Sequence, residues 1–476
     1  MSAHEAGALH GEYGGHGPEW LRLPADINDL LPQLWSQTVS RDATGALTVG
    51  GISVNALAEE FGTPAYIVDE TDFRARLNAF RDAFAASFGK TGGDDNGPGS
   101  QVYYAGKSFL CKAVARWVEE SGLSLDVCTG GELAVALAAG FPPHRLALHG
   151  NNKSYDELAQ ALQVGVGKIV LDSTTEIARL TALATELGVK PAVMIRTKVG
   201  VEAHTHEYIA TAHEDQKFGL SLDASVKAAR RILTAGVLDL RGLHSHIGSQ
   251  IFDTTGFEVA VRRLLEIQSG LAEEFATTLP ELGLGGGFGM AYTSQDDPKA
   301  PTELAAELRD IVERECKVLE IPLPAVTVEP GRAIAGPSTF TLYQVGTVKA
   351  VDLGSGQVRS YVSVDGGMSD NLRPALYNAS YSATMASRLS GAPAILGRVA
   401  GKHCEAGDIV VKDEFLPGDI APGDLVAVPG TGAYCRSMAS NYNHVPRPPV
   451  VAVANEEARV IVRRETVDDM LSLDVG

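Results

Sequence analysis

Lys107 closes the apolar run VYYAGK (102–107), and a cation at the mouth of a packed strand is costly to desolvate unless it is paired or put to chemical use. Standing alone it reads better as a surface lysine whose stem snorkels past the strand end, and the later segments change that. Further along, Glu329-Pro330-Gly331-Arg332 offers a carboxylate that can keep a ring nitrogen protonated and a forked donor for a carboxylate or phosphate, unless the two simply pair internally. The run LGGGFG (284–289) has the wrong spacing for a dinucleotide fingerprint, and a polar turn at 291–297 follows where a helix should start. Gly286 and Gly287, with Gly331, suit a backbone cradle for an anion, the alternative being a tight turn without a ligand. His244 and His246 are two apart and share a face. That spacing suggests metal, but a barrel metallohydrolase wants a His-x-His pair on its first strand, where this chain has Lys107. Metal is therefore set aside in favour of a flat His246 imidazole stacking on an aromatic ring, with His244 a satisfied core histidine.

Eight apolar segments must position these residues: 102–106, 123–128, 146–149, 168–171, 192–197, 240–246, 281–285 and 325–328. Amphipathic stretches at 132–139, 155–164, 175–187 and 224–235 alternate with them at helical spacing. The pattern predicts a closed (β/α)8 barrel of the TIM type, in which chemistry gathers on the loops after the strands. Those strand ends carry Lys107, Asp126, His149, His246, the glycines and Glu329. At 476 residues the chain exceeds one barrel, and beyond 335 short strands with tight turns predict an all-β module. The expected divisions are a flexible tail over 1–22, holding His4, His10 and His16, an N-terminal segment 23–68 that joins the β module, the barrel over 69–335, and the β module over 336–476. A second flexible loop is expected at 91–100, and a turn at 354–356.

A formal charge of −19 disfavours nucleic acid and anionic lipid as partners. No apolar run reaches the length of a membrane span, and the N-terminus lacks the pattern of a signal peptide. Cys111, Cys128, Cys316, Cys404 and Cys435 are an odd set without framework spacing, which points to a reducing, cytoplasmic compartment.

A lysine able to form an imine, a phosphate cradle, a carboxylate for a ring nitrogen and a stacking imidazole together describe a pyridoxal phosphate site. The ordered motifs YYAGKSF, SLDVCTGGEL, LHGNNKS, HEDQKFGLS, GLHSHIGSQ, GGGFG, VEPGRA, SVDGGMSDNLRPALY, GKHCEAGD and GTGAYC carry a resemblance from about residue 23 to the C-terminus. The chain resembles the diaminopimelate decarboxylases of the actinobacterial type, in the group that shares the alanine racemase barrel. That resemblance implies Lys107 as the Schiff-base lysine, His246 as the stacking residue and Glu329 as partner of the pyridinium nitrogen, with Asp126 also at the cofactor. It places Ser249, Gly286, Gly287, Gly331 and Tyr434 at or around the phosphate, with Arg332 also at the cofactor. It gives Arg332, Arg373, Tyr377, Glu405 and Tyr434 to the substrate, and makes Cys404 the catalytic thiol contributed across a homodimer interface. Arg373 with Glu405 would receive the zwitterionic far end of the substrate. Ser108, Ala406 and Gly283 depart from the usual pattern at three small positions. The alternatives are an ornithine or arginine decarboxylase of the same fold and a non-catalytic regulatory relative.

Overall fold

Eight parallel strands close into one barrel in chain order: β1 (Ser100–Ala105), β2 (Ser124–Val127), β3 (Leu146–Leu148), β4 (Lys168–Leu171), β5 (Ala192–Arg196), β6 (Asp239–His244), β7 (Glu281–Gly285) and β8 (Ala325–Val328). The ring is completed by β8 on β1, with Val328 opposite Val102. The computed structural model describes residues 17–89, 99–200, 217–354 and 357–476. The expectations for His4, His10 and His16, for 91–98, for the first part of HEDQKFGLS and for the turn residues 355 and 356 lie outside the described residues.

The strands show no alternation because both faces are covered; every residue of β2, β3 and β4 is buried. Local chemistry starts the intervening helices. Thr129, Ser154, Ser173 and Ser221 each cap a helix by accepting the backbone N–H of the residue three positions further on. Ser154 and Glu157 form a reciprocal capping box, and the same Glu157 accepts from Gly130 N, tying together the starts of two neighbouring helices. Two of these helices, starting at Gly130 and Thr174, begin three residues after β2 and β4 end, so their caps also fix the short loops between.

The chain forms two compact units, one made of Arg74–Gly289 and Pro298–Ala333, the other of the stretch up to Phe73, Met290–Asp297 and Ile334–Gly476. The second unit is built on a sheet whose strand Ala65–Asp69 lies between Thr339–Gly354, antiparallel to it, and Val450–Ala454, parallel to it. An N-terminal segment thus completes the C-terminal β module, as its strand-like pattern predicts. Leu47, Val49, Leu57, Ile67, Phe340, Leu342, Val451 and Val453 form its core. The module also contains elements that the sequence pattern hides, among them the strands Ala394–Ala400 and Glu457–Val462 and the helices Val54–Phe61 and Arg373–Tyr377.

The turn after GGGFG differs from expectation in its first half. Met290, Ala291 and Tyr292 are buried, and Ala291 belongs to the β-module core. Asp296 closes the turn by accepting from the backbone N–H of Tyr292 and Thr293, each at 2.9 Å. Among the described residues no helix is long and apolar enough to cross a membrane.

Candidate active site

Glu329, the first residue after β8, is a buried carboxylate that receives two imidazoles on one oxygen. His244 Nε2, from the end of β6, lies 2.8 Å from Glu329 Oε1, and His149 Nε2, just after β3, lies 3.3 Å from the same atom. Asp126 in β2 is 3.8 Å from His149 Nε2. Burial alone would raise the Glu329 pKa, but the facing His244 and His149 outweigh it and hold the carboxyl well below its usual range. Burial pushes His244 down, so it is a neutral ring that donates Nε2–H to the ionised carboxylate. Among the described residues Oε2 is left for one further donor.

His149, His244 and Glu329 also offer three metal-type donor atoms within 4.8 Å of one another. A ligating imidazole needs its other nitrogen held by an acceptor. His244 Nδ1 is buried and has no such partner. The trio is arranged as a hydrogen-bonded carboxylate clamp, which fits a protonated ring nitrogen at Oε2 better than an ion at its centre.

His246 takes a different partner from His244: its Nδ1 accepts from Gly286 N at 3.2 Å. Burial, then the charges of Lys107 and Arg196, hold His246 well below the usual imidazole pKa, leaving a flat neutral ring fixed by the β7 loop. The glycines of that loop are sterically required. A Cβ on Gly286 would collide with the Glu329 carbonyl, and one on Gly287, at φ +95°, would meet Ile251 Cδ1 at 2.8 Å. On Gly331 it would meet Ala105 Cβ at 2.9 Å and Ser108 Oγ at 3.0 Å. Gly283, one of the departures from the usual pattern, lies against the His244 ring, 2.8 Å from where a Cβ would sit. Bare backbone therefore lines the loops after β7 and β8, the form an anion cradle takes.

Lys107 is exposed two residues past β1, in a turn that Ser108 stabilises by donating Oγ–H to Ala105 O at 2.8 Å. Arg332 Nη2 donates to Ser249 Oγ at 2.6 Å, which leaves the Ser249 hydroxyl hydrogen for another acceptor. The barrel unit thus brings Lys107, Asp126, His246, Ser249, Gly286, Gly287, Glu329, Gly331 and Arg332 to its strand ends. Sequence reasoning missed the joint action of His149 and His244, although the strand-end position of the first and the two-residue offset of the second from His246 were visible.

The remaining expected residues lie in the β unit. Arg373 is 7% exposed, donates Nη1–H to Tyr381 OH at 2.7 Å, and lies over the rings of Tyr292, Tyr381 and Tyr434 with its Cζ at 4.8, 5.7 and 6.0 Å from their centroids. Among the described residues no carboxylate pairs with it. Glu405 is half-buried and accepts from Gly407 N, and among the described residues it makes no ion pair with Arg373. Tyr377 is 62% exposed. Tyr434 occupies the left-handed region at φ 69°, a strained position for an aromatic residue and one that marks functional sites. Cys404 is exposed at the tip of a loop whose base is held by Asp408, which accepts from His403 N at 2.7 Å and Met368 N at 2.6 Å. His403 Nε2 also meets Ser369 Oγ at 2.8 Å, so the loops bearing Cys404 and Arg373 share one support.

Residues 74–336 match the family model described as pyridoxal-dependent decarboxylase, pyridoxal binding domain. The chain is 52% identical to the diaminopimelate decarboxylase of Mycobacterium leprae over the whole of both chains, and 54% identical to that of Mycobacterium bovis over 94% of this chain and all of the relative. It is also similar to the crystal structure of diaminopimelate decarboxylase from M. jannaschii in complex with L-lysine, with a TM-score of 0.84 and 28% identity, covering 93% of this chain and 98% of the other.

The state of His246 has a thermodynamic consequence. In the unfolded chain the imidazole takes up a proton near its usual 6.5, whereas burial delays uptake in the folded chain. Below pH 6.5 the unfolded state therefore binds more protons, and this residue's contribution to stability falls by about 1.4 kcal/mol per pH unit until its folded value is reached. Urea unfolding at pH 7.5, 6.5 and 5.5 should show the wild type losing stability relative to His246→Asn as pH drops. A difference between the two that stays constant or grows in favour of the wild type would contradict a buried neutral ring.

Proposed function

We propose, from the premise that the chain belongs to the pyridoxal-dependent decarboxylases and within them to the diaminopimelate decarboxylases, that it converts meso-2,6-diaminopimelate to L-lysine and CO2, the last step of lysine biosynthesis. Pyridoxal 5'-phosphate is the cofactor, and when bound it supplies the electron sink that accepts the pair released as the carbon–carboxylate bond breaks. The observation that carries the reading is the ionised Glu329 carboxylate, clamped on Oε1 by His244 and His149 with Oε2 left over, beside a loop of sterically obligatory glycines. That donor set fits the cofactor.

In this reading Glu329 Oε2 would hold the proton on the ring nitrogen, and Asp126, 3.8 Å from His149 Nε2, supports that imidazole. His246 would stack on the ring, while Ser249, Gly286, Gly287, Gly331 and Tyr434 would receive the phosphate. Lys107 would hold the cofactor covalently through its Nζ. Arg332, Arg373, Tyr377 and Glu405 bind substrate, and Cys404 Sγ delivers a proton to the carbon that has lost its carboxylate. Arg373 favours this reaction over an ornithine or arginine decarboxylase, because a buried guanidinium without an acidic partner among the described residues suits a carboxylate at the substrate's far end. The five free cysteines support a cytoplasmic location.

Release of CO2 from a panel of diamino acids tests the assignment. The holoenzyme should prefer meso-diaminopimelate over ornithine, arginine and lysine by at least about 100-fold, the scale on which a buried charge left unpaired penalises the wrong substrate. A preference for ornithine would overturn the reading.

The second part of the proposal is a homodimer in which Cys404 serves the Lys107 of the other chain. Lys107→Ala and Cys404→Ala should each be nearly inactive. Co-refolding equal amounts should restore about a quarter of the sites, since half the dimers are mixed and each has one intact site. Failure of verified mixed dimers to regain activity would place both residues in the same chain's site.

A further inference from the structure

The guanidinium of Arg373 is held by one hydrogen bond, and that bond decides which of its edges is free. Nη1 donates to Tyr381 OH at 2.7 Å, whereas among the described residues Nε and Nη2 have no acceptor. Those two atoms form the edge with parallel N–H donors that grips a carboxylate through two bonds. Three tyrosine rings confine the group: Tyr292 and Tyr434 together with Tyr381, the first meeting Tyr381 edge-on at 5.0 Å between centroids. These rings attract the cation without competing for its donors.

The direction of the bonds behind Tyr381 is fixed by elimination. Arginine only donates, so the Tyr381 oxygen accepts and its own hydrogen must go elsewhere; Cys435 Sγ lies 3.6 Å away. Cys435 in turn donates to Asn371 Oδ1 at 3.4 Å, and Asn371 Oδ1 accepts the backbone N–H of Arg373, also at 3.4 Å. The loop of bonds therefore begins and ends on Arg373. Tyr381, Cys435 and Asn371 are each no more than 1% exposed, so the arrangement does not exchange partners with bulk water.

We propose that Tyr381 is a positioning and specificity-determining residue: by pinning Nη1 within the tyrosine cage it presents the Nε/Nη2 edge of Arg373 to the far carboxylate of the substrate. The inference rests on the assignment of Arg373 to that carboxylate. Tyr381 does not touch the reacting carbon. Its removal acts on recognition and falls on KM more than on kcat.

Tyr381→Phe keeps the ring of the cage and removes the one bond, which makes it the direct test. With the holoenzyme, KM for meso-diaminopimelate should rise about tenfold, the loss expected for one hydrogen bond to a charged group. Inhibition constants separate this role from a general loosening of the fold. L-lysine retains the far carboxylate and should bind about tenfold more weakly to the variant, whereas 1,5-diaminopentane lacks it and should bind unchanged. In an Arg373→Ala background the same Tyr381→Phe change should have no further effect on lysine. Equal weakening of lysine and diaminopentane, or an undiminished effect without Arg373, would overturn the proposal. If the wild type itself fails to decarboxylate meso-diaminopimelate, the fault lies with the assigned reaction, whereas an active wild type with an unaffected variant refutes the role of Tyr381 alone.

Discussion

A buried carboxylate must be paid for by its neighbours, and the barrel is organised around meeting that demand at Glu329. Desolvation would neutralise the group, yet two imidazoles from β3 and β6 converge on Oε1 and keep it ionised. His244 is neutral and donates through Nε2, which sets its tautomer and leaves its Nδ1 unpaired. Strand ends from across the ring are thus coupled through one oxygen atom. Closure of β8 on β1 places Glu329 and the Lys107 turn on neighbouring strands, and Gly331 allows the two turns to pack at van der Waals distance.

The same constraint explains the glycines better than flexibility does. Gly286 has no room for a side chain because the Glu329 carbonyl occupies it, and Gly283 is bare because the His244 ring lies there. Substitution at either would displace the clamp as well as the loop. The β unit solves a different problem, the burial of a cation, by surrounding Arg373 with neutral rings and a single acceptor. Among the described residues, one unit presents an anion with a free lone pair and the other a cation with a free pair of donors. Both are pre-organised before any ligand arrives.

Much of this was legible in the sequence because it is written in local terms. Buried parallel strands give continuous apolar runs, and all eight segments match observed strands to within about two residues of each boundary, as expected for frayed ends. Lys107, Glu329 and the glycines announce themselves by being out of character at the end of such runs. The rest depends on tertiary pairing. His149 and His244 look like ordinary core histidines until the barrel closes them onto Glu329, and Tyr381 carries no motif of its own. The burial of Met290 to Tyr292 was hidden because three apolar residues before a polar turn resemble a strand end, and only the β-module core shows what they pack against. The aromatic cage of Arg373 was hidden too, because its tyrosines are far apart in the chain, and there a neutral hydroxyl and ring faces hold a guanidinium without consuming its fork.

The central claim is that Glu329 acts through its charge. Glu329→Gln preserves shape and most hydrogen bonding but cannot stabilise a protonated ring nitrogen, so cofactor stoichiometry and kcat must be measured on the same preparation. The account predicts a variant that retains pyridoxal phosphate, with kcat for meso-diaminopimelate lowered by about 100-fold or more, the magnitude typical of losing a pre-organised electrostatic partner. A fully loaded variant that turns over at close to the wild-type rate would contradict it.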